Sequence, residues 1–177
     1  LSERDVLAIS RLEGDAMVQC FGVRDGKLCQ SRQFLWEDVD KETDAEILTA
    51  FVKQYYEQQT HIPKEILVPV ELEDHALVGE YLSNLRGHKV QLLVPQRGEK
   101  LHLLQLAEQN AAETLEKRKL RREHQYMRHE GAVKLLAEEL GLSFIPHRME
   151  CFDISHTQGV DNVASMVVCL DGKPARK

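Results

Sequence analysis

The residues best suited to chemistry lie in MECFDISHTQG, residues 149–159, a strand-like run with Asp153 at its centre and His156 close behind. Aspartate is depleted from strands, and an unpaired buried charge is costly, so this acid needs an explanation. One interpretation is a metal ligand, because Mg²⁺ and Mn²⁺ prefer oxygen ligands and metal ions assist phosphodiester hydrolysis. The alternative is structural: Asp153 caps a turn or pairs with Arg148.

Strand alternation places Asp153 on one face with Cys151 and Ser155, among small or flexible side chains, which weakly favours a site. His156 is compatible with a metal ligand, a phosphate contact or a surface histidine. A single carboxylate does not build a metal centre, so further ligands are required.

Two segments carry bases that are candidate phosphate contacts. In VPQRGEK, Arg97 and Lys100 flank Gly98 between a strand and a helix, where open α/β sheets bind ligands and helix N-termini attract anions. In EKRKLRREH the candidates lie along one helix: Lys117, Arg118, Arg121 and Arg122. The alternative for this second run is a solvated helix with acids and bases interleaved.

Charge is unevenly distributed along the chain. Residues 1–75 carry 16 acids and 8 bases, a net charge of −8, whereas residues 76–177 carry 13 acids and 15 bases, a net charge of +2. Any nucleic-acid contact is therefore expected in the second part. No apolar run approaches the length that spans a bilayer, and the sequence lacks the phosphate-binding glycine loops and nucleophile motifs of small-molecule enzymes. We expect no membrane and no small-molecule substrate.

The four cysteines, Cys20, Cys29, Cys151 and Cys169, show neither CxxC spacing nor zinc-ligand partners. All lie in apolar, strand-like contexts, which predicts reduced core cysteines of a cytoplasmic protein. No signal peptide is visible. Leu1 in place of an initiating Met favours a part of a longer protein, and processing is the alternative explanation.

The elements that position these residues follow from periodicity. Residues 5–36 read as three strands joined by tight turns, with Asp25-Gly26 as the second turn. Helical periodicity then alternates with two short strands up to residue 96. A long polar helix follows, in which Gly131 marks a kink or a break into two helices. This order predicts an α/β fold: a ribonuclease H-like mixed five-stranded sheet with helices, then a long helix.

The sequence pattern of the first two strands then recurs near residue 150. LAISRLEG (7–14) aligns with FDISHTQG (152–159), and VQCFGVRDGK (18–27) aligns with ASMVVCLDGK (164–173). We interpret this as an internal duplication in which Ala8 takes the place of Asp153.

At MECFDISHTQG and VASMVVCLDGKPARK, and at IPKEILVP, LVPQRGEK and LAEQNAAETLEKRK, the chain resembles the UvrC family, the excinuclease subunit of bacterial nucleotide excision repair. The resemblance covers nearly the whole chain. It implies a DNA endonuclease that cuts 5′ to a lesion in damaged double-stranded DNA, with Mg²⁺ or Mn²⁺ and with UvrB and UvrA as partners. It also implies a bacterial cytoplasmic protein, with Asp153 as the first aspartate of the nuclease set and the other ligands beyond Lys177.

The resemblance implies three regions: a catalytically silent ribonuclease H-like domain (1–97), a helical connector (98–145) and the start of an endonuclease domain (146–177). We expect this chain alone to be inactive. The alternative function is a non-catalytic scaffold or protein-interaction module of the repair complex, suggested by the acidic first region and by Ala8.

Overall fold

The computed structural model describes residues 3–157 and 161–175, without the side chains of 155–157, 161 and 162. The chain divides into two compact units, residues 1–117 and 118–177.

The first unit is a five-stranded mixed sheet with helices. Its elements, in chain order, are β1 (Glu3–Leu12), β2 (Asp15–Arg24), β3 (Lys27–Trp36), α1 (Asp44–Glu57), β4 (Glu65–Leu67), α2 (His75–Arg86), β5 (Gln91–Leu93) and the first part of α3 (Gly98–Tyr126). The strand order is β3-β2-β1-β4-β5. β1, β2 and β3 pair antiparallel, and β4 and β5 run parallel to β1. The mixed sheet predicted from the sequence is confirmed.

Local sequence signals explain where these elements begin and end. Asp25 and Gly26 both adopt positive φ in the β2–β3 turn, as the hairpin motif predicts. The Thr43 hydroxyl accepts from the Glu46 amide while the Glu46 carboxylate accepts from the Thr43 amide, so a complete capping box starts α1. Gly87 ends α2 in the left-handed conformation.

Strand alternation in β1 divides the first unit into two cores. Leu7 and Ile9 pack toward α1 and α2 with the larger core cluster. Val6 and Ala8 point to the opposite face, where α3 covers them with Leu104 and neighbouring side chains. The central strand is therefore buried on both faces, as expected for a sheet with helices on both sides. α3 continues this packing as far as Leu115.

The second unit contains the end of α3, a π-turn, one further helix and a small antiparallel sheet. These elements are the π-turn Met127–Gly131, α4 (Ala132–Glu139), β6 (Arg148–Thr157), β7 (Asp161–Leu170) and β8 (Lys173–Pro174). Near Gly131, where the sequence predicted a kink or a break, the helical backbone continues from α3 into α4 through this π-turn. The predicted regions 1–97, 98–145 and 146–177 stay a prediction.

The β6–β7 ladder has the same length and register as the β1–β2 ladder. All four strands are ten residues long. Ala8 pairs with Gln19 in the first ladder, and Asp153 pairs with Ser165 in the second. These are the partners that the sequence alignment of the two segments predicts. The hairpins differ in burial: Leu7 is fully buried, whereas Phe152 at the equivalent position is 60% exposed.

The cysteine prediction is wrong in part. Cys20 lies in the core, but Cys29 and Cys151 are exposed and Cys169 is half-buried. Cys29 is on β3, an edge strand, and Cys151 is on the exposed β6, so strand periodicity alone did not reveal which faces are covered. Within the described ranges, no helix combines the length and the apolar character needed to cross a bilayer.

Candidate catalytic strand and phosphate contacts

Asp153 lies in the middle of β6 with its side chain exposed. Backbone pairing with Ser165 on β7 holds its Cα in the ladder, so the carboxylate projects from a rigid element rather than from a loop. Within the described residues, no hydrogen bond or ion pair to this carboxylate is present. It is therefore accessible to a cation from solvent.

One of the structural alternatives for Asp153 was an ion pair with Arg148. Instead, the Arg148 Nε atom donates to Glu150 Oε1 at 2.8 Å, and a second guanidinium nitrogen lies 2.6 Å from the same oxygen. The local base thus pairs with the acid two residues away. Neutralisation of Asp153 by Arg148 is not observed.

Asp153 alone does not complete a metal centre. Among the described residues there is no group of three or more His, Cys, Asp or Glu side chains able to hold a metal ion. Its carboxylate oxygens are of the type that Mg²⁺ and Mn²⁺ bind. The described part of the chain thus supplies one suitable ligand. His156 lies on the same strand, but its side chain is outside the described residues.

The equivalent position in the first unit is occupied by Ala8, which is fully buried under α3. A methyl group offers no ligand atom, and Leu104 and Ala107 fill the adjoining space. The substitution predicted from the sequence alignment is therefore accompanied by closed packing. The first unit has no acid and no opening at this point.

A network of neutral amides surrounds the residue that pairs with Ala8. The buried Gln19 Oε1 accepts from Asn110 Nδ2 on α3 at 2.9 Å and from Gln33 Nε2 on β3 at 2.8 Å. Its Nε2 donates to the Ser31 hydroxyl and to the Arg32 carbonyl, both at 3.0 Å. These partners satisfy the side chain fully. The network binds α3 to the sheet with hydrogen bonds between uncharged groups, which are poor ligands for a hard cation.

The bases near the start of α3 have different surroundings. The Lys100 ammonium donates to Glu65 Oε1 at 2.8 Å, and Arg4 lies 3.4 Å from the other oxygen of the same carboxylate. Arg4 also lies 3.9 Å from Glu99, so two bases face two acids, and this balance reduces the attraction of the cluster for phosphate. Arg97 is exposed in the loop before α3. DNA binding by Arg97 and Lys100 stays a prediction.

The bases of the long helix are mainly exposed. Lys117, Arg121 and Arg122 are exposed and Arg118 is half-buried. Lys119 lies 3.9 Å from Glu123 one turn later, so acids and bases interleave as the alternative interpretation expects. Helical spacing nevertheless aligns Lys117 with Arg121 and Arg118 with Arg122. Their role in DNA binding also stays a prediction.

Sequence reasoning missed two groupings. Gln19, Gln33 and Asn110 are distant in sequence, and only the assembled sheet and helix bring them together. Lys173 was noted only within a repeated Asp-Gly-Lys turn, yet it lines a cavity with residues of the π-turn. The available signal for the first grouping was glutamine at the centre of an otherwise apolar strand.

Comparison with known families decides the identity. The family model described as the UvrC ribonuclease H-like domain matches residues 3–118, about two thirds of the chain. A second model, described as the UvrC RNase H endonuclease domain, matches residues 137–177, which include Asp153. This chain belongs to the UvrC family.

Curated UvrC relatives align over nearly the entire chain. The UvrABC system protein C of Symbiobacterium thermophilum is 46% identical over 172 residues, covering 97% of this chain and 27% of the relative. That of Alkaliphilus metalliredigens is 43% identical over 99% of this chain and 28% of its own length. That of Clostridioides difficile is 41% identical over 98% of this chain and 29% of its own length. The chain spans little more than a quarter of these UvrC proteins.

Proposed function

We propose that this chain is the part of a UvrABC excinuclease subunit that leads into its endonuclease centre, where Asp153 serves as a metal ligand. The substrate is damaged double-stranded DNA, cut 5′ to the lesion in the bacterial cytoplasm, with UvrB as the direct partner and UvrA acting earlier. The observation that carries this proposal is the exposed carboxylate of Asp153 in a hairpin whose silent counterpart has a buried Ala8. By itself the chain is not expected to cut DNA.

In this proposal Asp153 binds Mg²⁺ or Mn²⁺ through its carboxylate, because hard cations take oxygen ligands. The metal, when bound, supplies Lewis-acid stabilisation of the phosphoryl oxygens. β6 contributes position: ladder hydrogen bonds on the β7 side hold Asp153 at a fixed depth in the strand. The exposure of this face leaves access for a phosphodiester.

The test replaces Asp153 with Asn in the intact protein. It measures the incisions 5′ and 3′ to the lesion separately, on lesion-containing DNA and with the partner subunits present. We expect 5′ incision to fall at least about 100-fold, the magnitude typical for loss of a group that stabilises transition-state charge, while 3′ incision persists. Glu150→Gln is the matched control, since it removes an acid from the same strand on the opposite face. Undiminished 5′ incision by Asp153→Asn would exclude the proposed metal role.

A second candidate function, protein binding by the first unit, is favoured by a groove beside an unpaired strand edge. β3 is an edge strand of the five-stranded sheet. Next to it lies a cavity of about 280 Å³, lined mainly by aromatic and apolar side chains of β3 and α1, among them Phe34, Trp36, Phe51 and Tyr55. Unpaired strand edges bind extended peptides by adding a strand.

The charge beside this groove indicates the chemistry of its occupant. Residues 37–46, which directly follow Trp36, contain six acids and one base. An extended, basic segment of a partner protein fits both the strand edge and this charge, and UvrB is the partner we propose. Trp36→Ser should then weaken UvrB capture by this chain, whereas Leu77→Ser, at an exposed apolar position on α2, should not. Equal capture of UvrB by the two variants would exclude the groove as the UvrB-binding surface.

A further inference from the structure

The π-turn of the second unit packs directly against the turn between β7 and β8. His129 Nδ1 lies 3.1 Å from the Gly172 carbonyl oxygen. A Cβ atom on Gly172 would lie only 2.5 Å from the His129 carbonyl oxygen. The two turns are therefore in backbone contact, and the exposed Lys173 directly follows the glycine that makes it. π-turns within helices occur frequently at functional sites.

A polar cavity of about 340 Å³ opens beside this contact. Its lining consists of Arg122, Gln125, Tyr126, His129, Glu130 and Lys173. Five of these six side chains can donate hydrogen bonds, and the only carboxylate is that of Glu130. No aliphatic side chain is among the residues that line it. The lining suits a small polar anion better than an apolar ligand.

The hydrogen bonds already made leave donors for a ligand. A carbonyl oxygen only accepts, so the short contact with Gly172 places a proton on His129 Nδ1 and leaves Nε2 as the second polar atom of the ring. The Tyr126 hydroxyl accepts from Lys134 Nζ at 2.9 Å, which leaves its own proton for donation. The Lys173 ammonium and the Arg122 guanidinium are the two positive groups of this lining. Arg122 also has another partner, and its five N–H donors can serve more than one acceptor.

We propose that this cavity, the π-turn pocket, binds a phosphate group, specifically a backbone phosphodiester of DNA. The pocket combines a planar guanidinium with an ammonium and neutral donors, the set of groups that recognises phosphate oxygens. Its net positive lining lies in a chain of net charge −6, so the attraction is local. This inference rests on the proposed function for its choice of DNA as the source of the phosphate.

The first hairpin supplies a matched control. Lys27 follows Asp25-Gly26 as Lys173 follows Asp171-Gly172, and both glycines have φ of +75°. A Cβ on Gly26 would meet nothing within 4 Å, so this equivalent turn is not pressed against a second element. Lys27 is exposed. Removal of its charge changes the net charge of the chain as removal of Lys173 does, without affecting the pocket.

The experiment measures binding of a short fluorescent DNA duplex to the 177-residue chain and to its Lys173→Gln, Arg122→Gln and Lys27→Gln variants across a salt series. Loss of one charge-assisted phosphate contact should weaken binding about five- to tenfold. It should also reduce the slope of log affinity against log salt by about 0.9. Both effects are expected for Lys173→Gln and Arg122→Gln and neither for Lys27→Gln. Equal affinities and slopes for Lys173→Gln and Lys27→Gln would overturn the proposal.

A second arm separates the sources of phosphate. Inorganic phosphate is titrated while the nitrogen resonances of the His129 ring are followed by NMR, with chloride at the same ionic strength as reference. Shifts in the native chain and their loss in Lys173→Gln, together with the duplex result, support the pocket as a phosphodiester site. Shifts without any duplex effect would mean a free-phosphate site and would overturn the DNA assignment. Both readouts are independent of incision, so failure of the Asp153 test would leave them interpretable.

Discussion

Asp153 occupies in β6 the position that Ala8 occupies in β1. The two residues have equivalent cross-strand partners in ladders of equal length, but Ala8 is buried beneath α3 while Asp153 is exposed. A single strand position thus distinguishes a surface that can present a carboxylate to a cation from one that is closed by packing. The same equivalence makes reciprocal substitutions informative.

Ala8→Asp should destabilise the first unit severely, by more than about 3 kcal/mol at neutral pH, because it places a carboxylate without a partner against Leu104 and Ala107. The reciprocal Asp153→Ala should change stability by less than about 0.5 kcal/mol, since that side chain is exposed. Urea unfolding measures both. Ala8→Asn introduces a neutral side chain of the same size as aspartate, so comparison of the two variants separates the effect of the charge from that of the added volume. If Ala8→Asp is no less stable than Ala8→Asn at neutral pH, the site is not closed to charge.

Gln19→Ala should destabilise the first unit by about 2–4 kcal/mol, because Gln19 is fully buried and its loss leaves the half-buried side-chain amide of Asn110 without this acceptor. It also leaves a cavity. Chemical denaturation of this variant is compared with that of Gln54→Ala, at an exposed position on α1, which should stay within about 0.5 kcal/mol of the native protein. Similar midpoints for the two variants would contradict the importance of the amide network.

Asp5→Asn should reveal a pH-dependent term in stability. Burial raises the pKa of Asp5 in the folded chain, and this effect exceeds the opposing hydrogen bond from the Tyr56 hydroxyl and the charge of Arg24. The folded state therefore binds the proton more tightly than the unfolded state. That contribution to stability is present at low pH and is lost as the pH rises through the folded pKa.

The measurement for Asp5 is the free energy of unfolding of the native protein minus that of Asp5→Asn, followed upward from the ordinary Asp pKa of 3.8. This difference should fall with rising pH and then level off. Tyr56→Phe removes the hydroxyl that donates to Asp5 at 2.8 Å and lowers its pKa, so in that background the fall should be larger and should extend to higher pH. A difference that rises with pH would show that the pKa of Asp5 is lowered instead.

Gly172→Ala should destabilise the second unit more than Gly26→Ala destabilises the first. Both glycines have φ of +75°, so both substitutions carry the strain of a left-handed alanine, about 1 kcal/mol. Only at Gly172 would the new Cβ also collide with backbone, at 2.5 Å from the His129 carbonyl oxygen. Hydrogen exchange of residues 118–175 should report local opening in Gly172→Ala. An equal loss of stability in the two variants would mean that the β7–β8 turn can move away from the π-turn to accommodate the new methyl group.

The element order of the first unit was predictable because local signals act at short range. The Asp25-Gly26 turn, the Thr43–Glu46 capping box and Gly87 each satisfy backbone requirements within a few residues. The amide network was not predictable, since it joins Gln19 to Asn110 across 91 residues of sequence. The Lys100–Glu65 pair was missed for the same reason. Periodicity shows that a strand has two faces but does not show which face another element covers.

The equal registers of the β1–β2 and β6–β7 hairpins have a consequence for protein engineering. β1 and β2 pair with the same length and register as β6 and β7, and the sequence has one more residue between β6 and β7 than between β1 and β2. A chimera that carries the second hairpin in the first sheet would retain the main-chain ladder and would bury Phe152 where Leu7 now lies. It would also place a carboxylate beneath α3. Such a graft would show whether matching strand registers are enough for folding when the side chains packed beneath α3 do not match.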